Sequence, residues 1–407
     1  MTPDRPGHGP GEAPEAGDLL AEARRLLPWM IEVRRDLHQH PELGLEEHRT
    51  SARVQTLLDE LGIPYRKGLA GTGVLGRIEG AAAGPAVALR ADLDALPLED
   101  AKDVPYRSRV AGKMHACGHD VHTTVLLGAA RLLAARRERF GGTVKLIFQP
   151  AEETVGGARL LIEEGALEAP SVEAIFALHV DPDLEVGVVG VKYGQRNASS
   201  DDLQITVHGR SSHAAYPARG VDAIVVAAQV VTALQTVVSR NIDARDGAVV
   251  TLGTIQGGTQ RNVLANRVEL VGTVRALDPV VRERVLERVR AVAEGVAAGL
   301  GATAEVRIDP SYDPLVNHDA MVEVVRRNAE RLLGEGAVVE QQRPSMGVED
   351  FAFYVSQVPG AFYSLGVRNE AAGIVHPVHH ERFDADETSM AVGAALQALN
   401  ALTILER

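Results

Sequence analysis

The chain has 407 residues, 45% of them apolar, and sets 42 Lys and Arg against 55 Asp and Glu for a net charge of −13. That length exceeds what one small core holds and predicts one large domain plus a second. The negative charge repels phosphate backbones and no Lys/Arg run marks a groove for them, so nucleic acid is excluded as an expected partner.

Residues 1–17 are rich in Pro, Gly and Glu and contain no apolar stretch. A disordered tail is expected there, neither a secretory signal nor a membrane span. With a single cysteine, Cys117, a reducing cytoplasm is the expected location. From Asp18 to about Gly194, apolar strands alternate with amphipathic helices. Leu19–Leu27 and Thr50–Leu61 read as helices, and Val74–Ile78, Val87–Ala91, Val144–Gln149 and Ala174–His179 as strands. Helices over 120–136 and 157–164 fill the spaces between the later strands, which predicts an α/β sheet domain.

After Tyr193 the pattern becomes strand 203–207, helix 221–239, strands 249–255 and 268–276, helix 280–299 and strand 304–308. This βαββαβ order predicts an inserted domain over 196–311. Helix and strand signals resume from Asp313 and end in a helix over 386–402, so 312–407 is expected to complete the domain begun at 18–195.

Polar residues cluster at the ends of the predicted strands. Asp92 follows the second, Glu152 and Glu153 follow the third, and His179 closes the fourth. Carboxyl ends of strands border the crevice of an open α/β sheet, so these residues can converge, and Cys117 and His119 at a helix start can add S and N donors. Adjacent Glu152 and Glu153 leave the backbone in different directions, so one can hold a metal while the other moves protons between water and a leaving amine. A solvated Glu pair, a packed thiol and a surface histidine are the bland alternatives. Cys117 as nucleophile, with His119 or His179 as base, is a further one. The Cys-x-His spacing lacks the repeated pairs of a structural zinc module, which favours an open catalytic site.

Gly71-Thr72-Gly73-Val74-Leu75-Gly76 satisfies a dinucleotide glycine pattern, but a strand follows it, so it reads as a turn and strand start. No Gly-x-Ser-x-Gly or His-Glu-x-x-His occurs, which disfavours serine hydrolases and thermolysin-type peptidases.

Together the motifs Asp36–Leu43 (DLHQHPEL), Arg90–Pro97 (RADLDALP), His115–Asp120 (HACGHD), Gln149–Glu153 (QPAEE), Ala177–His179, Gly209–Ala215 (GRSSHAA), Gly272–Arg275 and Glu349–Phe351 resemble the M20 metallopeptidase family. The likeness is to its amidohydrolase branch, which includes hippurate hydrolases and auxin-conjugate hydrolases. It spans nearly the whole chain after the tail. It implies a mixed-sheet α/β catalytic domain interrupted by a ferredoxin-like lid that also mediates homodimerisation.

The resemblance further implies two divalent metal ions (zinc, manganese, cobalt or nickel) held by Cys117, His119, Glu153, His179 and a late histidine, with the thiolate as bridge. Among His376, His379 and His380, the family's spacing to Phe383 selects His379. Glu152 is implied as general base, Asp92 as a residue orienting a ligand, His213 as an oxyanion donor reaching a neighbouring active site, and Asn262 and Arg275 as substrate-binding residues. Asn262-Val263-Leu264-Ala265-Asn266, Glu381 and Val348 depart from the family's usual residues. The implied reaction is hydrolysis of a small N-acyl amino acid to a carboxylic acid and the free amino acid. A dipeptidase or carboxypeptidase on the same site, or a binding protein without turnover, are the alternatives.

Overall fold

Helix α1 (Ala16–Gln39) buries Leu19, Leu20, Ala23, Met30, Val33 and Leu37 along one stripe. The sequence reading ends it at Leu27, yet it runs through Pro28 to Gln39. The backbone hydrogen bond lost at proline is offset by the burial of Met30, Val33 and Leu37 within the next three turns. In this computed structural model the described residues are 16–406, so most of the expected tail lies outside them, and Ala16 and Gly17 are helical.

The described chain divides into two units. The first takes residues up to Tyr193, Asn317–Gln341 and Tyr354 onward. After α1 it contains α2 (His48–Glu60), β1 (Tyr65–Leu69), β2 (Gly73–Glu79), β3 (Ala82–Asp92), α3 (His119–Ala134), β4 (Gly141–Gln149), α4 (Gly157–Glu163), β5 (Ala174–Glu185) and β6 (Val189–Val191).

The second unit takes Gly194–Val316 and Gln342–Phe353. It contains β7 (Gly194–Asn197), β8 (Ser200–His208), α5 (Ala223–Asn241), β9 (Ala248–Gly257), β10 (Arg267–Ala276), α6 (Pro279–Gly299) and β11 (Thr303–Tyr312). Its antiparallel sheet has the order β11-β8-β10-β9, the ferredoxin-like arrangement of a βαββαβ chain. Asp222 caps α5 by accepting the Ile224 amide, and Asp278 caps α6 by accepting those of Val280 and Val281. By length and composition alone α5 could cross a membrane. In the fold, its Val226, Val230, Leu234 and Val237 join the core of this unit instead.

Beyond β12 (Leu315–Asn317), the chain continues with α7 (Asp319–Leu333), β13 (Val338–Glu340), the short α8 (Ala352–Val355), β14 (Gly360–Arg368) and α9 (Ser389–Leu405). Residues 342–353, assigned from sequence to the first domain, group with the second unit. Their backbone is held there, because the Ala198 amide donates to Ser345 and Gly347 carbonyls.

The first unit's eight-stranded sheet has the order β1-β2-β4-β3-β5-β14-β6-β13. Its central strands β4, β3, β5 and β14 are parallel; β4 and β14 are buried almost throughout, and β3 is buried from Ala86 to Asp92. Continuous burial is what a parallel sheet covered on both faces requires. Register places Asp92 beside Gln149 and His179 beside Ser364. The sequence reading stops the fourth strand at His179, whereas pairing with β14 carries β5 on to Glu185, so His179 lies within a strand.

Candidate metal centre

Cys117 and His119 flank Gly118, which caps α3 at φ +84°. A Cβ at Gly118 would come within 2.5 Å of Val180 Cγ2, so only glycine lets this turn press against β5. Cys117 Sγ lies 3.3 Å from His179 Nε2. The His179 Nδ1 is used against its neighbour's Val180 carbonyl at 2.7 Å, which leaves Nε2 as the atom facing the thiol.

Glu152 and Glu153 sit on the turn after β4, where Ala151 adopts the left-handed region at φ +58°. Asp94 joins this turn to α3: its Oδ2 accepts the Glu153 amide at 2.9 Å, and its Oδ1 lies 3.2 Å from His119 Nδ1. Asp92, expected to orient a ligand, is 3.8 Å from His119 Nδ1 and makes its short contact, 2.6 Å, with His122 Nδ1. His122 Nε2 in turn accepts the Val180 amide at 2.9 Å, so Asp92 reaches the His179 segment through His122. The other oxygen of Asp92 is held by Arg90 at 2.6 Å.

Of the three late histidines, His379 approaches the turn, with Nε2 3.0 Å from Glu153 Oε1. Its backbone, at φ +62°, donates to the Ala116 carbonyl at 2.8 Å. The rings of His376 and His380 stack on each other instead, with centroids 4.5 Å apart.

These side chains form overlapping triads. Donor atoms of Cys117, His119 and His179 lie within 4.8 Å of one another, as do those of Cys117, Glu153 and His379, and those of His119, Glu152 and Glu153. Cys117 is common to the first two. His119 Nε2 is buried and has no hydrogen-bond partner among the described residues, an orphan nitrogen beside a thiol and carboxylates. This donor set of one S, three N and carboxylate O suits a borderline divalent cation.

The electrostatics agree. Burial pulls the His119 imidazole down, but Asp92, Asp94 and Glu153 override it and push it up to about 10, so the carboxylates draw positive charge to this ring. Burial, then Glu153 and Glu152, hold the Cys117 thiol well above its usual range, which disfavours the nucleophile reading without a cation nearby. Burial pulls His122 down to about 4 against the opposing pull of Asp92, consistent with the neutral, Nδ1-protonated ring its two contacts require.

The remaining expected residues lie in the second unit. His213 and Asn262 are neighbours: His213 bridges Val263, and the Ala214 amide donates to the Asn262 carbonyl at 3.0 Å. The exposed His213 accepts the Ala215 amide on Nδ1 at 3.1 Å, so its neutral ring carries the proton on Nε2. Arg275, on β10, donates to the Met346 carbonyl at 3.0 Å.

Sequence reasoning missed Asp94 and His122 as site residues, although Asp94 lies inside a quoted motif. His38, from the first motif, is fully buried away from these triads, 2.7 Å from Asp120 and 3.2 Å from Asp100. Its role is to brace α1 against the first turn of α3.

Residues 88–401 match the model of peptidase family M20/M25/M40. An N-acetylcysteine deacetylase of Bacillus subtilis is 42% identical over 93% of this chain and 97% of its own. The IAA-amino acid hydrolase ILR1-like 4 of Arabidopsis thaliana is 39% identical over 96% of this chain and 89% of its own. A solved Bacillus subtilis structure, described as a dinuclear metal-binding peptidase of the M20 family, superposes with a TM-score of 0.84 at 38% identity, over 94% of this chain and 99% of that one. The chain therefore belongs to peptidase family M20/M25/M40.

Proposed function

We propose that the chain is a dinuclear metal-dependent amidohydrolase that cleaves the amide of N-acyl amino acids. The observation that carries this reading is that Cys117 is shared between a His119–His179 triad and a Glu153–His379 triad, with Glu152 beside them. A shared thiolate with nitrogen and oxygen donors on either side suits two adjacent divalent cations, and the orphan His119 Nε2 fits one of them. The relatives named a deacetylase of an N-acyl amino acid and a hydrolase of an amino-acid conjugate support the substrate class.

Two cations bound there would polarise the acyl carbonyl and acidify the attacking water. Glu152 takes the proton from that water and delivers it to the departing nitrogen, as a positioned carboxylate does in general acid–base catalysis. Glu153, His119, His179, His379 and Cys117 hold the cations. Asp94 and, through His122, Asp92 keep the histidine rings in register. His213, with its Nε2 proton free, donates to the oxyanion in a neighbouring copy's active site, and Arg275 and Asn262 hold the substrate. The second unit's edge strand β9 exposes Ile255, and neighbouring β10 exposes Val271, which supports pairing of two copies through this unit as a homodimer.

The test is Glu152→Gln with metal content measured, assayed on N-acetyl, N-benzoyl and N-indoleacetyl amino acids and on dipeptides. A fall of about 10²–10⁴ in kcat on the acyl substrates at unchanged metal content is expected. A full rate at full metal content overturns the base, and turnover confined to dipeptides overturns the substrate class.

A further inference from the structure

We propose that Glu47, a residue outside the metal cluster, is a positioning residue that fixes the turn bearing Glu152 and so sets turnover without taking part in metal binding. The inference rests on the reading of Glu152 as base.

Glu47 stands at the start of α2 and is fully buried. One carboxyl oxygen accepts the Ala151 amide at 2.9 Å, and the other accepts the Thr72 hydroxyl at 2.6 Å. No Lys or Arg pairs with it among the described residues. A carboxyl group taken out of water without a cation is costly, and burial accordingly raises its proton affinity. Structure alone gives little reason to keep such a group, because α2 is entered without a side-chain cap from it.

What the carboxyl group holds is Ala151, the left-handed residue immediately before Glu152. A side-chain-bearing residue resists this conformation, so something must hold it. The turn is clamped on three sides. The Ala151 amide is held by Glu47, its carbonyl by the Gly156 and Gly157 amides at 3.1 and 3.2 Å, and the Glu153 amide by Asp94. The segment leading to Glu47 packs directly on it, since a Cβ at Gly44 would meet Thr154 Oγ1 at 2.5 Å and Ala151 Cα at 3.1 Å. Glu152 thus lies between two amides, each gripped by a buried carboxyl group. Asp94 serves the Glu153 side and touches His119, whereas Glu47 serves the Glu152 side and touches no proposed metal ligand. Displacing a catalytic group by about 1 Å can cost about 100-fold in rate.

The experiment compares E47A, E47Q and E152Q by kcat, KM, metal equivalents and thermal midpoint. E47A is expected to lower kcat about 10- to 100-fold with KM within about twofold and full metal content. E47Q is expected to recover most of that loss, because its amide oxygen still accepts the Ala151 amide and its NH₂ donates to Thr72. Unchanged kcat in E47A, a loss of metal that parallels the loss of rate, or a loss that E47Q does not recover overturns the proposal. Should E47A fail to fold, E47D keeps the charge but falls short of Ala151. A drop in its kcat at constant KM supports the role, and an unchanged kcat removes it. If E152Q keeps its rate, the base assignment has failed. If E152Q loses its rate while E47A keeps it, only the role of Glu47 has.

Discussion

Asp94 and His119 are joined at 3.2 Å, and the same carboxylate accepts the Glu153 amide, so one side chain couples α3 to the turn after β4. Asp94→Ala should weaken metal affinity about 10- to 100-fold, the usual cost of losing the group that orients a ligating histidine. Asp94→Asn, which can still accept the Glu153 amide, should lose less. Chelator competition measures both, and wild-type affinity in the alanine variant would remove Asp94 from the site.

Cys117 is the donor shared by two triads, so Cys117→Ala should affect metal number more than any single histidine variant. At most one tightly held equivalent is expected, with a fall of roughly 10³ in kcat, since cation stabilisation of the reacting oxygens contributes several kcal/mol. Alkylation of wild-type Cys117 should also be slower with metal present than after chelation. Two full equivalents in the alanine variant, or equal alkylation rates, would show a thiol that binds no metal.

Gly118 separates Cys117 from His119 at a point where the backbone is left-handed and a Cβ would lie 2.5 Å from Val180. Gly118→Ala combines strained backbone with overpacking and should cost about 2–4 kcal/mol. Both proposed ligands would shift with the turn, so thermal midpoint and metal affinity should fall together. A variant that loses stability but keeps metal affinity would show that the turn relaxes elsewhere.

How far the sequence could be read follows from where the information lies. Glu152 and Glu153, and Cys117 with His119, stood out because their chemistry is packed into a few residues beside strong apolar strands. β3 and β4 were found for the same reason, a run of small and branched apolar side chains. Asp94, His122 and Glu47 were not found, since each acts through a partner 25 to 104 residues away in sequence. No local pattern distinguishes Asp94 from Asp92 two residues earlier. Pro28 read as a helix end because local chemistry there opposes the helix, and packing of Met30 and Val33 on the core overrides it. The extension of β5 past His179 was equally hidden, because it depends on β14, about 180 residues later.

The Arg34 cluster makes a pH prediction. Arg34 is buried and binds Asp120 at 2.8 Å and Asp384 at 2.8 Å, tying α1 to α3 and to the segment before α9. Asp384 also accepts the Tyr106 hydroxyl at 2.8 Å and lies 3.6 Å from Lys102. Burial raises its proton affinity, but Arg34, Lys102 and Tyr106 override that and hold it at about 2. A carboxylate depressed from its ordinary value near 3.9 contributes stability that is fully present above about pH 4 and is lost as pH falls towards 2. The depression corresponds to about 2–3 kcal/mol at neutral pH. Asp384→Asn should therefore be less stable than wild type by about that amount at pH 7, and the gap should close as the pH falls below about 4. Urea unfolding of both proteins with chelator present, so that metal release does not enter, measures the gap at each pH. A gap that stays constant from pH 7 to pH 3 would mean that the amide side chain costs packing or hydrogen bonding and that the charge on Asp384 contributes nothing.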